Sequence, residues 1–319
     1  MNILIIRRDN IGDLLLTTPL LKALKKQLKV KRLDVLTNTY AAPVLQGNPC
    51  IDNLYTYQKL KHGHTNFLMA FIQRIYLILK LRKYHYDYIL AFDRRAKHLA
   101  SYLKKDFLLS PPDRWDSKSE VERVWALSKT LGVKGLPGPL ELPPYLYNPI
   151  HDKQDKFSVG IHLSARRLRQ QFPVEKWVLL IQQMYKFNSN VKFNIFWAPG
   201  DGNNPQHPGD DEKARLIKMG LKNIPIRFIP TPTLTSLIKS MKSCGSMVMA
   251  DGGAMHIAAA LNIPIVALFG DSNARRWRPW GVSYKILSTH SQDVKDIKVY
   301  EILKAWSDLV KFKSKSNKK

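Results

Sequence analysis

Met247-Val248-Met249-Ala250-Asp251-Gly252-Gly253-Ala254-Met255-His256-Ile257-Ala258-Ala259-Ala260-Leu261 reads as three pieces. The apolar run ending at Ala250 is a buried strand, Gly252 and Gly253 allow a tight turn, and the small apolar residues after them form a helix. Strand, glycine loop and helix in that order are the repeating unit of an α/β protein with a parallel sheet. Two glycines at a strand end let backbone N–H groups approach an anion, and the positive end of the helix dipole adds to the attraction, so the loop reads as a phosphate cradle. It is neither a three-glycine dinucleotide fingerprint nor a Walker-type loop. His256, in the first helical turn, faces either the phosphates or the interior. Ala258, Ala259 and Ala260 allow the helix to pack close to its sheet.

The same grammar recurs along the chain. Residues 3–6 are a short β-branched apolar run, followed by a polar loop and a helical pattern over 14–28; 33–36 and 88–92 are further strands. Residues 132–156 hold Pro137, Pro139, Pro143, Pro144 and Pro149 among glycines, which discourages regular structure and marks an interdomain region. The pattern restarts with a strand over 157–163, a basic loop, and a helix opened by Pro173 and carried by Trp177, Leu180, Ile181 and Met184. Strands over 193–197, 227–229, 246–250 and 263–269 follow. The chain therefore reads as two α/β domains, 1–150 and 151–319. In open parallel sheets ligands bind beyond the carboxyl ends of the strands, so the loops after Ile6, Leu163, Trp197, Ala250 and Phe269 are where chemistry is expected.

Composition narrows the classes of function. The 319 residues are 45% hydrophobic and 24% charged, as in folded globular proteins, which excludes disorder, collagen-like repeats and coiled coil. The 51 Lys and Arg against 25 Asp and Glu give a net charge of +26, which points to polyanionic partners: nucleic acid, anionic lipid or phosphorylated substrate. Only the tail over 311–319 is a concentrated basic run. Cys50 and Cys244 have no disulfide or metal-ligand spacing, which suits a reducing compartment, with the cytoplasm as default. The apolar run at the amino terminus is too short for a signal-peptide core, and no stretch is long enough to span a bilayer. The apolar segment 67–81, with Arg74, Lys80, Arg82 and Lys83, is either a helix covering the first sheet or a dock for anionic membrane; the covering helix is the favoured reading.

After the first strand comes Arg7-Arg8-Asp9-Asn10-Ile11-Gly12-Asp13-Leu14. Gly12 permits a tight backbone path and Asp13 falls at the mouth of the helix. A carboxylate there is a helix cap or a general base; spacing alone favours the cap.

Taken together, Ile11-Gly12-Asp13, the stretch from Asp251 to Leu261, and Leu268-Phe269-Gly270-Asp271 resemble glycosyltransferase family 9, the heptosyltransferases of lipopolysaccharide core assembly. Phe172-Pro173-Val174-Glu175-Lys176-Trp177 and Arg276-Trp277-Arg278-Pro279-Trp280-Gly281 extend the resemblance over most of the chain. It implies a GT-B architecture of two Rossmann-like domains facing across a cleft, the first holding the acceptor and the second a nucleotide-sugar donor. It also implies an inverting reaction with no metal and no cofactor, a nucleoside-diphosphate sugar such as ADP-heptose being substrate. Asp13 becomes the general base, with Arg7, Arg8, Asn10 and Gly12 on the acceptor. Gly252, Gly253 and His256 match the phosphate-binding motif, with Asp251 on sugar hydroxyls or fixing the loop. Asp210 and Asp211 stand where the family uses a carboxylate for the ribose, or are simple helix-start charges, and the backbone around Pro232 passes the nucleobase.

One position departs from the family. Where a Lys or Arg usually meets donor phosphate, this chain has Gln170; of the donor-side loop that holds Ser164, Arg166, Arg167 and Arg169, either Arg169 or Arg166 is expected to take over. The implied partners are a nucleotide-sugar, a glycolipid or lipopolysaccharide acceptor and the anionic inner face of the inner membrane. A nucleic-acid-binding protein, supported by charge alone, and a sugar-nucleotide epimerase or hydrolase on the same scaffold remain as alternatives.

Overall fold

The computed structural model describes residues 1–58, 67–103, 108–110, 118–148, 153–202 and 209–311. The chain divides into two compact units, Met1–Tyr145 and Leu146–Lys319. The boundary expected at 150/151 and nearly all of the basic tail lie outside the described residues.

The first unit contains β1 (Asn2–Ile6), α1 (Ile11–Leu15), α2 (Thr18–Gln27), β2 (Arg32–Asn38), β3 (Asn53–Tyr57), α3 (Phe67–Arg82), β4 (Tyr88–Ala91), α4 (Arg94–Ser101), β5 (Leu108–Leu109) and α5 (Glu120–Thr130). Its strands form a sheet in the order β3-β2-β1-β4-β5, all parallel. Ile3, Leu4, Ile5 and Ile6 are fully buried, as expected of a central parallel strand with both faces covered.

The second unit contains β6 (Asp155–His162), α6 (Val174–Phe187), β7 (Lys192–Trp197), α7 (Asp211–Gly220), β8 (Ile226–Pro230), α8 (Leu234–Met241), β9 (Cys244–Ala250), α9 (Gly253–Ala260), β10 (Ile265–Phe269), α10 (Ala274–Trp277), β11 (Tyr284–Ser288) and α11 (Val299–Val310). The sheet order is β11-β10-β9-β6-β7-β8, again all parallel. Phe193, Ile195, Val248, Val266 and Leu268 pack with Trp177, Ile181 and Trp306 into one core. Ala258, Ala259 and Ala260 of α9 are buried, the close packing their size allows.

Both sheets reverse their strand order beside their first strand, between β1 and β4 and between β6 and β9. Connections leaving the two neighbouring strands at such a point diverge to opposite faces and open a crevice at the carboxyl ends. Ile6 is paired with Ala91 there, and His162 with Met249. The loop carrying Arg7 to Asp13 and the loop carrying Asp251 and Gly252 thus leave each sheet at its topological switch point.

Two expectations change, and two further features come only from the structure. The single helix over 14–28 is two, α1 and α2, because Pro19 offers no N–H and its ring would collide with the Leu15 carbonyl if the helix ran on. The helical turn starts at Ile11, so Asp13 sits inside α1 at its third position. The edge strands β3 and β11 bury little of their side chains and carry no apolar run to read. Finally, α3 covers the sheet with one face only: Leu77 and Leu81 pack against Leu4, Ile6, Leu36 and Tyr55, while Phe71, Ile72, Ile75, Tyr76 and Leu79 are exposed.

Candidate active site

Asp13 is held from two sides. Its Oδ2 accepts the Asn10 N–H at 3.0 Å, the reciprocal bond of a helix start, and its Oδ1 accepts Arg7 Nη2 at 3.0 Å. The same Arg7 nitrogen donates to Glu120 Oε1 of α5 at 2.7 Å, and Arg7 Nε lies 3.4 Å from Asp9 Oδ2. The guanidinium also stands over the Phe92 ring, 4.7 Å from its centre. Burial works against the Arg7 charge, but Asp13, Glu120 and Asp9 outweigh it and raise its pKa. Burial likewise pushes the Asp9 carboxyl up to about 6, against the pull of Arg7 and with the help of Asp13, Asp93 and Glu120.

This arrangement revises one assignment. Arg7, expected on the acceptor, is 1% exposed and faces the interior of its unit, where it orients Asp13. Glu120 has no local sequence signal, because its partner is 113 residues away. The backbone of the loop is fixed by Asn38 Nδ2, which donates to the Asp9 carbonyl at 2.8 Å, and by Thr17 Oγ1, which donates to the Asp13 carbonyl at 2.8 Å. Asn10 is exposed and Gly12 buried.

Arg8 turns the other way. Its Nε donates to Tyr57 Oη at 3.0 Å, and with Arg74, Arg94, Arg95 and His98 it lines a cavity of about 640 Å³. Arg8 leaves β1 and Arg94 and Arg95 follow β4, so the cavity belongs to the switch point of the first sheet. Four guanidinium groups around one space attract an anion, and their fork geometry suits phosphate or carboxylate.

In the second unit Gly252 precedes α9 in an extended conformation, and a Cβ added to it would meet nothing within 4 Å. The space that a side chain would fill is open at the residue capping α9, which suits a close-approaching anion. His256 is 3% exposed within that first turn and is near enough to Asp251 to favour its charged form. Asp251 Oδ2 accepts Gln170 Nε2 at 3.2 Å. Burial raises the Asp251 pKa, moderated by Ser272, His256, Arg167 and Gln170. These contacts tie the glycine loop to the loop after β6. Gln170, the departing position, is buried and bonds Asp251 and Ser272.

The basic loop after β6 is pinned at a point that sequence reasoning missed. A Cβ on Gly270 would lie 2.2 Å from the Arg169 carbonyl oxygen, so only glycine lets the end of β10 approach this loop. Arg166 and Arg169 are exposed, with Arg169 Nη1 3.4 Å from the Ser291 carbonyl, and Arg167 pairs with Asp271 at 3.6 Å. Ser164 Oγ accepts the Ala198 N–H at 2.8 Å and so ties the ends of β6 and β7 together.

Asp210 and Asp211 already have partners. Asp210 Oδ1 is 2.6 Å from Lys213 Nζ, while the two Asp211 oxygens accept Trp197 Nε1 at 2.6 Å and the Gly200 N–H at 2.9 Å, which hold its pKa below the usual carboxylate range. His162, at the end of β6, is held down to about 4 by desolvation, against the pull of Asp210 and a backbone bond at Ser164. Thr231 is buried, its Oγ1 donating to the Trp197 carbonyl at 2.8 Å, and Pro232 beside it is exposed.

Comparison with known proteins bears on the family and the scaffold. The model of glycosyltransferase family 9 (heptosyltransferase) matches residues 100–307. Lipopolysaccharide heptosyltransferase 3 of Escherichia coli is 25% identical over 84% of this chain and 83% of its own length. Among solved structures, an Escherichia coli heptosyltransferase with ADP superposes with a TM-score of 0.76 at 15% identity, covering 97% of this chain and 99% of that one. The family 9 glycosyltransferase of Veillonella parvula gives 0.75 at 17%, covering 97% of each chain. A family match over more than half the chain, on a scaffold of two Rossmann-like units of the GT-B class, identifies the chain as a glycosyltransferase belonging to family 9.

Proposed function

We propose that this enzyme transfers a heptose from ADP-heptose to the core region of lipopolysaccharide, with inversion at the anomeric carbon and without a metal ion. The acceptor hydroxyl attacks the anomeric carbon, the bond to the diphosphate oxygen breaks, and ADP leaves with the bonding pair. Asp13 takes the hydroxyl proton. Arg7, buried between Asp13 and Glu120, keeps that carboxylate in one orientation, so the base is positioned before substrate arrives. The arginine-lined cavity takes anionic groups of the acceptor, with Asn10 at its approach.

The leaving diphosphate needs positive partners, and the Gly252 and Gly253 N–H groups at the start of α9 provide them, with Arg166 supplying the cationic side chain that Gln170 lacks. Asp210 and Asp211 frame the ribose, and the backbone at Pro232 the base. The bound ADP of one structural neighbour and the name of the Escherichia coli relative support this donor and acceptor. The net charge of +26 supports work at the anionic inner face of the bacterial inner membrane.

The observation that carries this reading is the two-sided clamp on Asp13 at the switch point of the first sheet. Purified protein given ADP-heptose and a lipopolysaccharide core acceptor should release ADP with formation of one α- or β-linked product of inverted configuration. Asp13→Ala should lower turnover by roughly 10²- to 10⁴-fold with the fold intact. ADP release equal to wild type in that variant refutes the assignment of the base.

A further inference from the structure

We infer that the exposed face of α3 is the surface by which the enzyme docks on an anionic lipid leaflet. A helix in a globular unit normally shows its core one apolar face and water a polar one. The inner face of α3 is ordinary, with Leu77 and Leu81 in the core of the first unit. Its outer face is not. Phe71 is 52% exposed, Ile72 56%, Ile75 43%, Tyr76 67% and Leu79 54%, and their spacing lines them up along one side of the helix. A contiguous apolar strip of this kind on a highly charged protein marks an interaction surface.

Charge selects the occupant. Between Asp52 and Asp87 the sequence contains no Asp or Glu and six Lys or Arg. Arg74, Lys80, Arg82 and Lys83 are exposed on or directly after α3. Lys80 lies over the Tyr55 ring and Arg82 bonds the Tyr102 carbonyl, which holds these cations beside the apolar strip. Arg74 also lines the arginine cavity with Arg8, Arg94, Arg95 and His98. Through Arg74, α3 contributes to this cavity as well as carrying the apolar strip.

A second copy of this chain would bring the same cations against these. An anionic leaflet supplies both complements, acyl chains for the strip and phosphate headgroups for the rim. α3 has 16 residues, and no helix among the described residues is long and apolar enough to cross a membrane, so the geometry is that of an element lying in the interface. An acceptor in the same leaflet then presents its anionic groups beside the cavity. The inference rests on the reading of a membrane-embedded acceptor, but vesicle binding and amide exchange are read without substrate, so the two fail separately.

The test is sedimentation of the full chain with phosphatidylcholine vesicles, with and without 30% phosphatidylglycerol. Wild type should partition onto the anionic vesicles at least tenfold more strongly than onto the neutral ones. Ile72→Asn/Leu79→Asn, which leaves the net charge unchanged, should lose at least tenfold of that binding while keeping transfer to a water-soluble acceptor. Equal binding by this variant would show that general basicity suffices and overturn the proposal. In wild type, amide exchange over residues 71–83 should slow on adding anionic vesicles; unchanged exchange there overturns it without any variant. A wild-type dimer that the double substitution converts to monomer overturns it in favour of self-association.

Discussion

Arg7→Met removes the cation from a site holding three carboxylates and keeps the approximate volume of the side chain. The exposures decide the size of the effect: the side chains of Arg7, Glu120 and Asp13 are 2%, 4% and 11% exposed, so little solvent is present to screen the charges left behind. Breaking a buried pair from one side costs about 3–5 kcal/mol, because the remaining partner keeps its desolvation penalty. At about 1.4 kcal/mol per tenfold, amide exchange in β1 and α5 should speed up by roughly 100- to 3,000-fold, with β6 and β9 of the second unit as internal controls. Arg7→Met/Glu120→Leu should recover part of the loss, since it removes one of the stranded carboxylates. The kinetic consequence separates orientation from substrate contact. If Arg7 positions Asp13, turnover falls while the KM for acceptor changes little; if it binds acceptor, KM rises. Exchange in β1 within about threefold of wild type would refute the buried-clamp reasoning, and a rise in acceptor KM at constant turnover would return Arg7 to the acceptor.

Gly252→Ala should fold like wild type, since its Cβ meets nothing, yet raise the donor KM about tenfold or more by occupying the anion's approach, read by steady-state kinetics beside a thermal melt. Gly270→Ala should do the reverse in the melt, losing about 1–3 kcal/mol because the Arg169 carbonyl must move away. For His162, whose folded pKa of about 4 lies below its ordinary value, the unfolded chain binds the extra proton between about pH 6.5 and 4. The second unit should therefore lose stability as pH falls through that window, and His162→Gln should flatten the slope in denaturant titrations across it. Asp9 has the opposite sign: raised to about 6, it favours folding at low pH and loses that contribution as pH rises from about 4 to 6, so Asp9→Asn should be relatively more stable than wild type at pH 7 than at pH 4.

Central parallel strands are legible because both their faces are buried and their residues form apolar runs; β1, β9 and β10 stand out this way. The glycine loop before α9 and the carboxylate after β1 follow from those strands, since parallel topology places every strand's carboxyl end at the same edge of its sheet. Local chemistry therefore determined the two Rossmann-like units and the loops that carry the site. The roles within those loops depend on contacts between residues far apart in the chain. Arg7 and Glu120 meet only once β1 and α5 have packed, Gly270 matters only because the Arg169 carbonyl lies against it, and the outer strip of α3 is exposed only because its opposite side filled the core. Periodicity can mark a side chain as apolar or charged, but whether it ends buried, paired or facing water is settled by what the rest of the fold brings alongside it.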